Sequence, residues 1–351
     1  MAFNVVKNVA IRGISACVPK HVEENKGLPV FKEGEDVRVM AQTGIERKHV
    51  VTPGMCMADL AKGAFDGIIA ELGWEKSSID ALVLVSSAAD YITPPTSNVL
   101  HGLLELEESC LCLDIRQGCP GWIVGMDMVS SLLSNGHLHR AILLCGDLSS
   151  PMNSPYDKET RPLFGDTITA TALEYAEGAP ALEFLHGCRG KDFEAIITPD
   201  GGLKNPVTAE SLEFKEYGTN MVRRQIDCTM DGMGVFAFGI SVAPKSVKQL
   251  MEHFQINEEE VDCFLFHQAN QYMNEKIRKK LQIPSEKVPY SLRDFGNNSG
   301  GSIPLTLVTQ RGEEYRNGTM NSIACAFGVG LAWGCLHFKT EKLICPKLIE
   351  I

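Results

Sequence analysis

Residues Leu72–Asp80 and Phe254–Asp262 spell one local pattern twice: an apolar helix end, a polar turn, a β-branched residue, an aspartate, then an apolar run. Asp80 and Asp262 are 182 positions apart. Ala141 and Ile323, each opening an apolar run, are also 182 apart, and Cys119 and Ser299, each in a glycine-rich turn, are 180 apart. A chain that repeats its wiring halfway along is expected to fold as two like halves. The join is expected near Glu177-Gly178-Ala179-Pro180, giving an N-terminal half of residues 1–177 and a C-terminal half of residues 178–351.

Within each half, helical and extended patterns alternate. Met57 to Gly73 spaces Leu60, Ala64, Ile68 and Leu72 at helical intervals, and Gly73 stands where a helix would stop. Ile79 to Val85, Ala141 to Cys145 and Cys263 to Phe266 read as strands buried on both faces. Such alternation predicts an α/β fold with a mainly parallel sheet covered on both sides. The segment Ser149 to Pro162, with three prolines and few aliphatic residues, is expected to be a surface loop or flap.

With 44% hydrophobic and 22% charged residues, the 351-residue chain has ample material for full cores. Its net charge of −11 argues against a general nucleic-acid or anionic-membrane binder, leaving room for a local basic patch. The start lacks the basic segment and apolar run of a signal peptide, and no stretch approaches the ~20 apolar residues of a membrane span. Twelve cysteines are scattered through apolar segments without a CxxC pair, so buried free thiols are expected rather than disulfides or a metal site. A soluble protein of a reducing compartment, the cytoplasm, is the expectation.

Three turns stand out chemically. In Gln117-Gly118-Cys119-Pro120-Gly121 a strand ends and a helical pattern begins. Proline is favoured at the first helical position, which makes Cys119 the expected cap, its thiol activated as thiolate by helix-end amides. His267, in His267-Gln268-Ala269-Asn270, follows a buried strand, where ligand crevices of parallel sheets lie. Asn297 sits in the turn Gly296-Asn297-Asn298-Ser299-Gly300-Gly301. The glycine-rich Phe327-Gly328-Val329-Gly330 suits an oxyanion hole better than a dinucleotide site, because the six-residue fingerprint is missing.

Together with Thr43-Gly44-Ile45 and Trp333-Gly334, these motifs resemble the thiolase superfamily of condensing enzymes, most of all 3-oxoacyl-acyl-carrier-protein synthase III, over nearly the whole chain. The resemblance implies a five-layered αβαβα fold of two pseudo-symmetric halves, and a homodimer. It implies Cys119 as the nucleophile that takes an acyl group from a thioester, with His267 and Asn297 stabilising the enolate formed when a malonyl thioester loses CO₂. The backbone N–H groups of Cys119 and Val329 would form the oxyanion hole at the sulfur. Substrates would be coenzyme A or acyl-carrier-protein thioesters, with no permanently bound cofactor and no metal. Candidate substrate and carrier contacts are Arg38, Gln42, Arg161, Tyr272, Lys276, Lys279 and Lys280, with Arg278 on the same basic helix. Arg38 and Gln42 stand near the family's tryptophan and arginine coenzyme A clamp, and Tyr272 replaces its usual arginine after HQAN. Trp122 follows the cysteine where small residues are usual, and the loop Asp90 to Thr96 lies where the family's dimer partner shapes the acyl pocket. Three alternatives to condensation remain: acyl transfer to a hydroxyl or amine, a synthase of the HMG-CoA type with Asp90 as base, and an inert partner subunit.

Overall fold

The computed structural model describes residues 2–351. Six strands form one sheet, in the order Ile349–Glu350, Val9–Val18, Asp166–Tyr175, Arg140–Leu148, Ala81–Ser86, Leu111–Arg116. Five form the other, in the order Ala2–Val6, Leu182–Cys188, Ala332–Glu341, Thr319–Gly328, Cys263–Phe266. Setting aside the outermost terminal strand of each, both sheets run first strand, last, next-to-last, then a strand paired in parallel. The two terminal strands cross over: Ala2–Val6 pairs with Leu182–Cys188, and Ile349–Glu350 with Val9–Val18.

The sheets are mixed, not mainly parallel. Parallel pairing joins Ala81–Ser86 to both its neighbours and Cys263–Phe266 to Thr319–Gly328, where a helix makes the return. Thr319–Gly328 and Ala332–Glu341 are joined by three residues, too few for a crossover, and pair antiparallel.

Two helices, Gly121–Leu133 and Ser302–Asn317, lie between the sheets. Being covered from both sides, the first buries Trp122, Ile123, Met126, Val129 and Leu133 together. Met57–Leu72 and Thr96–Leu104 cover the outside of the first sheet, and Gly232–Phe254 with Gln271–Leu281 cover the second. This is the five-layered αβαβα arrangement that the resemblance implies. Trp122 belongs to the core: its indole N–H donates to Thr171 Oγ1 at 3.0 Å, and its ring meets Phe338 edge-on.

Met57–Leu72 shows how local signals set an element. Leu60, Ala64, Ile68 and their neighbours Ala61 and Phe65 pack on the sheet. Gly73 ends the helix at φ 64°, its N–H donating to the Ile69 carbonyl at 2.9 Å. At the other end the Asp90 carboxylate accepts from the amides of Met57 at 2.8 Å and Ala58 at 2.9 Å. Asp90 is therefore a helix cap.

Two expectations are corrected here. Ser149 to Pro162 is not a flap: Ser149, Asn153, Ser154, Asp157 and Thr160 are buried, and Tyr156–Asp157 joins a small sheet with Met221–Arg223 and Lys215–Gly218. Pro120, not Cys119, is the N-cap of Gly121–Leu133, because the Pro120 carbonyl accepts the first helical bond, from Val124 at 3.1 Å. Among the described residues, no helix is long and apolar enough to cross a membrane.

Candidate active site

Cys119 leaves the sheet through a tight turn. The Gln117 amide donates to the Ser86 carbonyl at 3.1 Å, and the Gly121 amide returns to the Gly118 carbonyl at 2.7 Å. Glycine at two neighbouring positions makes room. A Cβ on Gly328 would stand 2.4 Å from the Cys119 sulfur, and one on Gly300 would stand 3.0 Å from the Gly118 carbonyl oxygen. The two glycine-rich turns of the C-terminal half thus press directly against the cysteine turn.

His267 continues the strand Cys263–Phe266, its amide donating to the Cys325 carbonyl at 2.9 Å. A turn closed by Ala269 N–H on the His267 carbonyl, also 2.9 Å, then leads into Gln271–Leu281, capped by Asn270 Oδ1 at the Met273 amide. Asn274 Nδ2 holds the His267 carbonyl at 3.1 Å. The backbone of Asn297 is pinned to the segment before Asp166–Tyr175, donating to Leu163 O at 2.8 Å and accepting from Gly165 N at 3.1 Å. Its side-chain Oδ1 accepts from the Ser299 amide at 3.0 Å, which leaves Nδ2 as the free donor.

Cys119, His267 and Asn297 line one cavity of about 690 Å³, together with Val329, Phe327, Ser87, Gln117 and Ser299. The backbone N–H groups of Val329 and Cys119 favour the ionised sulfur. Burial lowers the His267 imidazole to about 4, so it is neutral at physiological pH and has one N–H to donate. Its ring meets Phe327 edge-on at 5.9 Å.

The expected low-pKa thiolate is corrected. Burial pushes the Cys119 thiol above its ordinary value and the nearby Asp147 adds to this, against the opposing pull of the Val329 and Cys119 amides and the Ser299 hydroxyl. Alkylation of Cys119 by iodoacetamide is therefore expected to keep accelerating above pH 9, the thiol's ordinary value. A rate that levels off by about pH 8 would show the thiolate to be stabilised after all.

The outlying candidates fare differently. Arg38 and Gln42 share the exposed face of Glu35–Thr43, while Val39 and Thr43, one position further round, line the cavity. Arg161 does not reach it either: it pairs with Glu23, which also holds the buried Lys48, in an adjoining cleft. Tyr272 is exposed at the surface, stacked on Phe236 at 5.6 Å with the Lys276 ammonium over its ring. Lys279 is exposed, Lys280 donates to the Ile240 carbonyl at 3.2 Å, and Arg278 is spent on Glu275 and the Ile283 carbonyl. Sequence reasoning missed Lys158, which lines the cavity and pairs with Glu35 at 3.3 Å. It also missed Cys228, a second thiol in the lining, and Ser299. The lysine lies three residues before Arg161, and only the fold of that proline-rich segment shows which of the two turns inward.

Residues 113–190 match the family model for 3-oxoacyl-[acyl-carrier-protein] synthase III, and residues 251–340 match the model for its C-terminal part. The chain is similar along its full length to the crystal structure of a 3-oxoacyl-(acyl-carrier protein) synthase from Burkholderia xenovorans LB400: 32% identity, TM-score 0.93, covering 100% of this chain and 99% of that one. The 3-oxoacyl-(acyl carrier protein) synthase III of Pseudomonas aeruginosa PAO1 superimposes with TM-score 0.81 at 26% identity, over 96% of this chain and 100% of that one. A β-ketoacyl-[acyl-carrier-protein] synthase III of Symbiobacterium thermophilum is 28% identical over 95% of this chain and 98% of its own length.

Proposed function

The chain belongs to the 3-oxoacyl-[acyl-carrier-protein] synthase III family of condensing enzymes, and on that premise we propose that it joins an acyl thioester to a malonyl thioester through an acyl group held on Cys119. The Cys119 sulfur attacks the acyl carbonyl, the oxyanion faces the N–H groups of Cys119 and Val329, and the carrier thiol leaves. The malonyl thioester then loses CO₂, and its enolate oxygen accepts hydrogen bonds from His267 and Asn297 Nδ2. The carbanion attacks the acyl-cysteine, and release of the sulfur yields the 3-oxoacyl thioester.

The observation that carries this reading is the convergence, in one cavity, of a thiol from the N-terminal half (1–177) with two neutral donors from the C-terminal half (178–351). Donors already aimed at a developing oxyanion are worth about 2.7–4 kcal/mol each. A neutral imidazole and a carboxamide whose oxygen is already bonded favour enolate stabilisation over acyl transfer to a hydroxyl or amine, which forms no enolate. The capping role of Asp90 removes the carboxylate base that an HMG-CoA synthase type would need. Incubation with an acyl-CoA and malonyl-acyl-carrier protein should yield 3-oxoacyl product and CO₂ in equal amounts. Acyl transfer without CO₂ would replace condensation by the transferase reading.

Coenzyme A and acyl-carrier-protein thioesters are the substrates, with no resident cofactor. Lys158 and Arg116 are the cations that line the cavity and could meet a phosphopantetheine arm, while Lys276, Lys279 and Tyr272 offer an exposed basic face for an acidic carrier. All twelve cysteines are free, which suits the reducing cytoplasm.

The enzyme is a homodimer in this reading. Leu111–Arg116 is a sheet edge with Leu111 38% and Leu113 40% exposed, and nearby Ile92 is fully exposed. An uncovered apolar edge strand is a liability that a second copy pairing along it would remove. Sedimentation should give twice the 38.4 kDa chain mass, with Leu113→Lys shifting it toward monomer. A wild-type monomer at micromolar concentration would contradict the assembly.

A further inference from the structure

Asp147 is a buried acid that the condensation scheme leaves without a task. It lies near the end of Arg140–Leu148 with no solvent exposure. Its Oδ1 accepts three hydrogen bonds: from Ser86 Oγ at 2.6 Å, the Ser87 amide at 2.8 Å and Ser87 Oγ at 2.7 Å. Its Oδ2 is equally buried and has no hydrogen-bond partner. Buried polar atoms are nearly always paired, so this one calls for an explanation.

The explanation lies in Ser299. Its backbone is held at φ 49°, a left-handed conformation that few non-glycine residues adopt. That conformation places Ser299 in the cavity beside Cys119, His267 and Asn297. Its amide fixes Asn297 Oδ1, its backbone favours the protonated imidazole of His267, and its hydroxyl favours the ionised forms of both the Cys119 thiol and the Asp147 carboxyl. The hydroxyl also sits 3.5 Å from where a side chain on Gly118 would start, against the nucleophile turn itself. The titratable groups facing Asp147 are the thiols of Cys119, of Cys145 on its own strand, and of Cys228 from the segment before Gly232–Phe254. Of these, Cys119 is the one whose ionised form the Ser299 hydroxyl also favours. A thiol that burial keeps protonated needs a base before it can attack.

We propose that Ser299 and Asp147 relay the Cys119 proton during acyl transfer, an inference that rests on the acyl-cysteine reading above. As the sulfur forms its bond to the thioester carbonyl carbon and the carbonyl π electrons move onto oxygen, the thiol proton passes to Ser299 Oγ. The serine's own proton passes to Asp147 Oδ2. When the tetrahedral intermediate collapses, the C–S bond to the carrier breaks, and the departing thiolate recovers a proton by the reverse path. Charge and protons balance within the site. In this relay Ser299 takes the proton from the sulfur itself; Asp147 acts through it and is a positioning residue.

The test compares two reactions of the full-length enzyme against pH: acylation of Cys119 by an acyl-CoA, and its alkylation by iodoacetamide, which requires only the thiolate. Asp147→Asn keeps the shape and the Oδ1 acceptor. It should slow acylation about 10²-fold and shift alkylation to lower pH, because a repelling charge has gone. Ser299→Ala should slow acylation similarly, and the double variant should be no slower than either single one. An Asp147→Asn enzyme that acylates at the wild-type rate overturns the relay while leaving the acyl-cysteine intact. Parallel loss of acylation and alkylation would make Asp147 merely structural and overturn it too. Wild-type enzyme that never acquires an acyl group would remove the premise along with the relay.

Discussion

Cys119→Ala is expected to eliminate the acyl-enzyme and to cut 3-oxoacyl formation on the order of 10⁴-fold or more, the scale on which loss of a covalent nucleophile is felt. The change removes one sulfur from a half-buried position already crowded by Gly328, so the fold should be intact and the melting curve close to wild type. What should survive is informative. His267 and Asn297 Nδ2 remain in place, so the variant should still release CO₂ slowly from a malonyl thioester, now without any partner to condense. Loss of both CO₂ release and acylation would mean that the cysteine supports the other two side chains structurally, which the separate backbone anchors of His267 and Asn297 argue against.

His267→Ala should give the reciprocal phenotype. The acyl group should load on Cys119 at close to the normal rate, while condensation falls about 10²–10³-fold for the lost enolate donor. Asn297→Ala should behave alike, and Asn297→Asp worse, since a carboxylate replaces a donor with a negative charge beside the developing one. The histidine also leaves a thermodynamic signature. Its folded value of about 4 lies below the ordinary 6.5, so between these two values the unfolded chain binds the extra proton. The contribution of the buried neutral ring is complete above pH 6.5 and is lost as pH falls toward 4. Denaturant titrations should therefore show wild-type stability dropping through that window more steeply than that of His267→Ala. Equal slopes would mean that the ring is solvated and charged.

What could be read from the residues alone follows a physical division. Helix Met57–Leu72 and strand Cys263–Phe266 were legible because their signals are local: an apolar stripe with a stop glycine, and a short β-rich run between polar turns. The three site turns were legible for the same reason. Glycine, proline and asparagine report what the backbone does within a few residues, and the half-chain repeat hints at which turns meet. The state of the Cys119 thiol was not legible, because it depends on what buries it. Gly328, Ser299 and Asp147 come from three distant parts of the chain. Helix phase defeated the placement of Arg38 and Gln42: a rotation of one residue turns Val39 and Thr43 inward in their stead. The same applies to the antiparallel strands, which the apolar runs cannot distinguish from parallel ones, and to the crossing of Ala2–Val6 and Ile349–Glu350 between sheets, which only long-range pairing decides.

Intact-mass measurement of the wild-type enzyme, after mixing with an acyl-CoA in the absence of any malonyl thioester, tests the acyl-cysteine most directly. The account predicts one added acyl mass per chain, mapped by peptide analysis to Cys119 and discharged with CO₂ release when malonyl-acyl-carrier protein is added. An unmodified mass, or an acyl group found on Cys228 or another thiol while Cys119 stays free, would contradict it.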